Sequence, residues 1–99
     1  MSGIRHRLVV CYDIRDPVRL RRTHATMTGY GDPIQYSVFV CDLSGTESAL
    51  MEAALMQIIR PSADSVIIVD LGPVTGVAKF RIRTIGAGTM PRQPRYQVI

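Results

Sequence analysis

The sequence contains no run of 18 or more apolar residues, so no segment is long enough to cross a membrane as a helix. The first ten residues, MSGIRHRLVV, lack the long apolar stretch and the cleavage site of a secretory signal. Cysteine is scarce, and both copies, Cys11 and Cys41, lie in apolar segments typical of strands, which favours reduced core thiols over a disulfide. These absences argue against a membrane protein or a disulfide scaffold and predict a cytoplasmic protein.

Lysine is nearly absent, and the last 21 residues contain no acid. Eleven of the 12 basic residues are arginine, whose planar guanidinium can hold a phosphate through two hydrogen bonds. Net charge is +4 over residues 1–30, −5 over 31–78 and +5 over 79–99. GC-rich coding explains a preference for arginine over lysine, but it does not explain clustering. Two basic segments around an acidic middle predict an anionic partner such as nucleic acid.

A chain of 99 residues with 46% hydrophobic content is expected to form one small domain. Asp16 followed by Pro17 is typical of a helix start, and Ser44 with Glu47 has the spacing of a capping box. The predicted elements are a strand over 8–12, a helix over 17–28, a strand over 34–43, a helix from Ser44 that ends before Pro61, and strands over 66–71 and 79–85.

These elements read as βαβαβ plus a hairpin partner strand, which resembles an α+β, ferredoxin-like βαββαβ sandwich with two helices on one face of an antiparallel sheet. Residues 1–85 form the predicted domain, and residues 86–99 form a C-terminal tail that ends in a short apolar segment. Two helices cover only one face, yet the strands LVVCY, YSVFVC and VIIVDL are apolar on both. The other face is therefore expected to be buried by a second copy of the chain in a homodimer.

Asp13, at the end of the first strand, is the candidate for chemistry. One carboxylate is a weak metal site, but a twofold axis would bring a second Asp13 and allow the pair to bind one Mg²⁺. Alternatively, Asp13 caps the turn before Asp16 or pairs with a nearby arginine. Arg19 and Arg22 lie one helical turn apart, where they would grip successive phosphates, pair with Asp16 or remain solvated.

The sequence argues against a histidine metal site and against a typical RNA-recognition fold. His6 and His24 have no metal-ligand spacing, and His24 falls on the side of its helix that is predicted to face the core. A typical RNA-recognition fold needs exposed aromatic residues on its central strands, and the segment VIIVDL has none.

Three strings, VVCYDIRDPVRLRR, GYGDPIQYSVFVCDL and DSVIIVDLGP, together resemble the Cas2 family of small CRISPR-associated proteins. The resemblance extends from about Leu8 to Pro73. It implies a ferredoxin-like homodimer with a Mg²⁺ site at Asp13 and a metal-dependent endonuclease activity on RNA or double-stranded DNA. It also implies a role in spacer acquisition, in complex with the CRISPR integrase Cas1.

The resemblance also carries over to Arg19, Arg22 and Phe39. Arg15, Arg19 and Arg22 are expected to bind nucleic acid, and Tyr12, Ser37 and Phe39 are expected to support the site. The segment Tyr96 to Ile99 is expected to add an edge strand to the partner subunit.

Two further functions stay open at this point. The sequence offers one candidate acid and no evident general base, so a non-catalytic dimer that binds spacer DNA and the integrase is the alternative to the nuclease. A ribonuclease toxin of the related virulence-associated D type is a second alternative, with the same fold and aspartate but no integrase partner.

Overall fold

The computed structural model describes residues 3–87 and confirms the βαββαβ order. The elements are β1 (His6–Asp13), α1 (Pro17–Thr28), β2 (Asp32–Gln35), β3 (Val38–Leu43), α2 (Gly45–Met56), β4 (Ser65–Pro73) and a short 3₁₀ helix (Val77–Phe80). No helix within this range is long and apolar enough to cross a membrane. The predicted edge strand at Tyr96 to Ile99 lies outside the described residues.

Both helices begin where the capping residues predicted. The Asp16 carboxylate accepts the backbone N–H of Arg19 at 2.9 Å, with Pro17 in the first turn. Ser44 and Glu47 form the full capping box, each side chain accepting the other's backbone N–H. These bonds satisfy donors that a helix start would otherwise leave without partners. Local sequence therefore determines where each helix starts.

The four strands form one antiparallel sheet in the order β2-β3-β1-β4, with β1 and β3 in the centre. Both helices lie against one face of the sheet. On that face, alternate side chains of β1 and β3 pack against apolar side chains of the helices and form the core. This core includes Leu8, Val10, Tyr12, Met27, Phe39, Cys41, Leu43, Met51 and Leu55. Cys41 lies in this core, whereas Cys11 is only partly buried on the opposite face of the sheet.

The second and third strands come from a segment in which the sequence predicted only one strand. The single strand expected over 34–43 is a hairpin, in which Gln35 pairs with Val38 and residues Tyr36 and Ser37 form the turn. No glycine, proline or asparagine marks this turn, and no non-glycine residue in the described range has a positive φ. The turn therefore lacks the residues by which tight hairpins are usually found in a sequence.

The strand predicted over 79–85 was wrong. The chain enters the 3₁₀ helix Val77–Phe80 instead, and residues 81–85 belong to no strand. Alternating arginines in KFRIRTI gave the appearance of a strand with one polar face, but the hairpin already supplies the fourth strand of the sheet. The fold class is thus correct, although one of its strands was placed in the wrong segment.

The second face of the sheet carries two cross-strand rows of apolar residues. Register places Val38, Cys11 and Ile67 in one row, and Val40, Val9 and Val69 in the next. On the outer strand β4, Ile67 is 61% exposed and Val69 is 44% exposed. Val40 is buried, at 3% exposure, and we call the other five residues the open face: Val9, Cys11, Val38, Ile67 and Val69.

Gly31 lies where the chain enters β2 and passes close to β3. A Cβ atom at this position would overlap the carbonyl oxygen of Val40 and the Sγ atom of Cys41. We expect Gly31→Ala to lower the free energy of unfolding by about 1–3 kcal/mol, as overpacking typically does, measured by urea denaturation. Gly45→Ala is the matched control, because a Cβ at Gly45 meets nothing within 4 Å. Equal stability of the two variants would contradict this account.

Candidate functional site

Asp13 is the last residue of β1 and lies opposite Ser65 of β4. Its side chain is 70% exposed, and its nearest charged neighbour is the guanidinium of Arg15 at 3.9 Å, which is equally exposed. Because side chains alternate along a strand, Asp13 points to the same side of the sheet as Cys11. An accessible carboxylate therefore stands at one end of the open face.

The turn after Asp13 is fixed by a residue that sequence reasoning missed. The carboxylate of Asp64, whose side chain is fully buried, accepts the backbone N–H of Arg15 at 2.9 Å and that of Arg60 at 2.8 Å. It also accepts two hydrogen bonds from the guanidinium of Arg19, at 2.7 and 3.1 Å. Asp64 thus joins the turn, α1 and the start of β4.

These bonds set the electrostatics of the turn. The side-chain hydrogen bond from Arg19, aided by the two backbone N–H groups, holds the pKa of Asp64 far below its usual range against the opposing effect of burial. Asp64 in turn raises the pKa of Arg19. In the segment PSADSV, nothing distinguishes Asp64 from a surface acid, so sequence alone gave no signal for this contact.

The three arginines predicted to bind nucleic acid have different surroundings. The Arg19 side chain is 18% exposed and committed to Asp64, so in this conformation it positions the turn. The Arg15 side chain is exposed beside Asp13, and Arg22 is exposed on α1. Arg15 and Arg22 are therefore the two whose guanidinium groups are open to a phosphate.

The predicted supporting residues lie behind Asp13. Tyr12 is buried and Phe39 fully so, with their rings stacked at 6.2 Å. Burial is the main cause that raises the pKa of the Tyr12 hydroxyl. Ser37 lies in the hairpin turn, where its carbonyl oxygen accepts the backbone N–H of Tyr12 at 3.1 Å. These three residues anchor the end of β1.

A Mg²⁺ site was predicted at Asp13. Residues 3–87 hold no group of three or more His, Cys, Asp or Glu side chains able to bind a metal ion together. Within that range no hydrogen bond engages the Asp13 carboxylate, which leaves its oxygens open to a cation. Mg²⁺ commonly binds one or two carboxylates and keeps several waters. Asp13 fits one half of such a site.

The family model described as CRISPR associated protein Cas2 matches residues 6–75, a range that contains Asp13, the hairpin and all four strands. The chain belongs to the Cas2 family. This match favours a Cas2 protein over the virulence-associated D type of toxin.

Curated relatives agree with this assignment. A protein of Rhodospirillum rubrum named CRISPR-associated endoribonuclease Cas2 1 is 43% identical over 94 residues, which cover 93% of this chain and 91% of the relative. A CRISPR-associated endoribonuclease Cas2 of Geobacter sulfurreducens is also 43% identical, over 82% of this chain and 84% of the relative.

Two solved structures have a fold similar to this one. The crystal structure of Streptococcus pyogenes Cas2 gives a TM-score of 0.70 at 30% identity, covering 81% of this chain and 99% of the other. A hypothetical protein of Thermus thermophilus gives a TM-score of 0.74 at 25% identity, covering 89% of this chain and 99% of the other.

Proposed function

We propose that this Cas2 protein is a Mg²⁺-dependent endoribonuclease that works as a homodimer in the cytoplasm, with Asp13 of both subunits as metal ligands. The observation that carries the proposal is the accessible Asp13 carboxylate at the end of the open face. The two relatives named as endoribonucleases support the substrate. The test is cleavage of RNA and of duplex DNA by the purified dimer, with Mg²⁺ and with EDTA.

The open face supports the homodimer. Ile67 and Val69 leave much of their apolar surface in water, and Val9 and Cys11 beside them are only partly covered. A contiguous apolar face of this kind is typical of a protein contact, and a twofold axis would match it with itself. The same packing would bring both Asp13 carboxylates toward the contact.

The residues at the end of β1 and on α1 have distinct roles in the proposed reaction. Asp13 binds the metal ion, which supplies polarisation of the phosphodiester and a water of lowered pKa. Arg15 and Arg22 hold phosphates of the bound strand by charge and hydrogen bonds. Asp64 holds the turn so that Asp13 and Arg15 stay in place beside the strand end.

A substitution on the open face tests the dimer. We expect Ile67→Asp to produce a monomer at concentrations where the wild type is dimeric, because burying an unpaired carboxylate in an apolar contact is unfavourable. Light scattering after size-exclusion chromatography measures the mass. Leu50→Asp is the control, since Leu50 is similarly exposed but lies on α2. A dimeric Ile67→Asp protein would place the contact elsewhere.

A non-catalytic role is the second candidate, and a specific observation favours it. Residues 3–87 hold no group of three or more His, Cys, Asp or Glu side chains able to bind a metal ion, whereas the exposed Arg15 guanidinium lies beside Asp13. In this role the dimer binds spacer DNA together with the CRISPR integrase Cas1, and the segment Tyr96 to Ile99 adds an edge strand to the partner subunit. Assembly on DNA by a protein that does not cleave would favour this role.

A further inference from the structure

Tyr36 is exposed at the tip of the hairpin, on the side of the sheet that carries the helices. Its residue surface is 75% accessible, although large aromatic side chains are usually well covered. One side of the ring lies against the imidazole of His24 in α1, with centroids 6.3 Å apart and planes inclined by 24°. Most of the tyrosine ring therefore faces solvent from a supported position.

His24 is itself held by two buried rings. Its Nδ1 atom lies 3.2 Å from the Tyr12 hydroxyl, and its ring meets the edge of Phe39 with centroids 5.3 Å apart. His24 occupies a position of α1 that faces the core, and its side chain is only partly buried. The contacts with Tyr12 and Phe39 give this polar ring partners there. The result is a ledge of two stacked rings, His24 inside and Tyr36 outside, built on the core.

The ledge lies at the same end of the sheet as Asp13. The Ser37 carbonyl, directly after Tyr36, is bonded to the backbone N–H of Tyr12, directly before Asp13. Because side chains alternate, Tyr12 points toward the helices and Asp13 toward the open face. A strand of nucleic acid that passes around the end of β1 would thus meet the carboxylate on one side and the aromatic ledge on the other.

We propose that Tyr36, supported by His24, stacks an unpaired nucleobase of the strand whose phosphate Arg15 holds beside Asp13. This inference rests on the proposed nuclease function and adds a binding residue to it. An exposed aromatic ring stacks a base of any identity, but only when that base is not already stacked inside a helix. Prior support of the ring lowers the entropy lost on binding. His24 is a positioning residue.

The test is binding without divalent cation, so that cleavage plays no part in it. The probes are a fluorescent oligoadenylate, the same oligomer with abasic positions, and an RNA duplex. We expect Tyr36→Ala to weaken binding of the oligoadenylate about 10-fold, within the range for loss of one base–aromatic stack, and to leave the abasic and duplex affinities unchanged. Tyr36→Phe keeps the ring and should bind like the wild type. Leu50→Ala, an exposed apolar change on α2, is the control.

His24→Ala should weaken binding of the oligoadenylate by a smaller factor than Tyr36→Ala does, because Tyr36 remains but loses its support. Its affinity for the abasic and duplex probes should not change. The inference is overturned if Tyr36→Ala binds the oligoadenylate as the wild type does, if Tyr36→Phe loses as much as Tyr36→Ala, or if the loss is equal on the abasic probe. A wild type that neither binds nor cleaves RNA would instead overturn the proposed function, and the inference with it. Circular dichroism establishes that each variant is folded.

Discussion

Asp13→Ala is expected to reduce Mg²⁺-dependent RNA cleavage at least about 100-fold, because even residues that only support a metal ligand cost 10–100-fold when lost. In the dimer one substitution removes both carboxylates of the shared site. The Asp13 side chain makes no hydrogen bond within the described residues, so its removal should leave the fold intact. The measurement is the single-turnover cleavage rate of a labelled RNA, with the mass of the dimer checked by light scattering.

Glu52→Ala is the matched control for this substitution. It removes an equally negative and exposed side chain from α2, where the carboxylate makes only a weak contact with Ser48 at 3.5 Å. Full activity of Glu52→Ala alongside loss in Asp13→Ala would locate the effect at the end of β1. A folded, dimeric Asp13→Ala protein that cleaves at the rate of the wild type would exclude Asp13 as a metal ligand, and the scaffold role would become the better account.

Asp64→Ala is expected to lower the midpoint of thermal unfolding by at least about 10 °C. The substitution would leave the half-buried Arg19 guanidinium without its partner and the backbone N–H groups of Arg15 and Arg60 without acceptors. Asp70→Ala is the control, because Asp70 is paired with His6 at the surface and exposed pairs contribute little. Thermal melts at fixed protein concentration measure both, since dimer stability depends on concentration.

The same carboxylate predicts how stability depends on pH. The pKa of Asp64 is lower in the folded chain than in the unfolded one, so its contribution is complete above the unfolded pKa of about 4 and is lost as the pH falls through the folded pKa. The side chain of the Asp64→Asn variant cannot ionise. Its free energy of unfolding should therefore fall less than that of the wild type as the pH is lowered from about 5 to about 2. Parallel curves for the two proteins from urea denaturation at each pH would contradict the assignment.

Short-range signals in the sequence were dependable where the chemistry is local. A cap forms between residues three apart, so Asp16 and Ser44 predicted both helix starts correctly. The hairpin was missed for the opposite reason. The ten residues from Ile34 to Leu43, seven of them apolar, are compatible with one long strand or with two short ones, and only the pairing of strands in the sheet decides between them.

In the candidate site too, the sequence revealed a residue defined by its local position and missed the contacts between distant residues. Asp13, at the end of an apolar strand, was found from its position in the chain, and the family resemblance pointed to the same residue. The ion pair of Arg19 with Asp64 spans 45 residues, and the stack of His24 on Tyr36 joins a helix to a turn. Neither pair has a spacing that a sequence pattern could reveal, because only the packing of separate elements brings the partners together.

By itself, the sequence determined the helix boundaries that caps define, the apolar strands, the uneven charge and the carboxylate at the end of β1. Those properties depend on residues that are neighbours in the chain. Tertiary structure alone decided which arginine remains open to a phosphate, which aspartate is buried, and which tyrosine stands exposed beside the site. Each of these depends on a contact between distant segments, and its free energy exists only once the sheet and helices have packed.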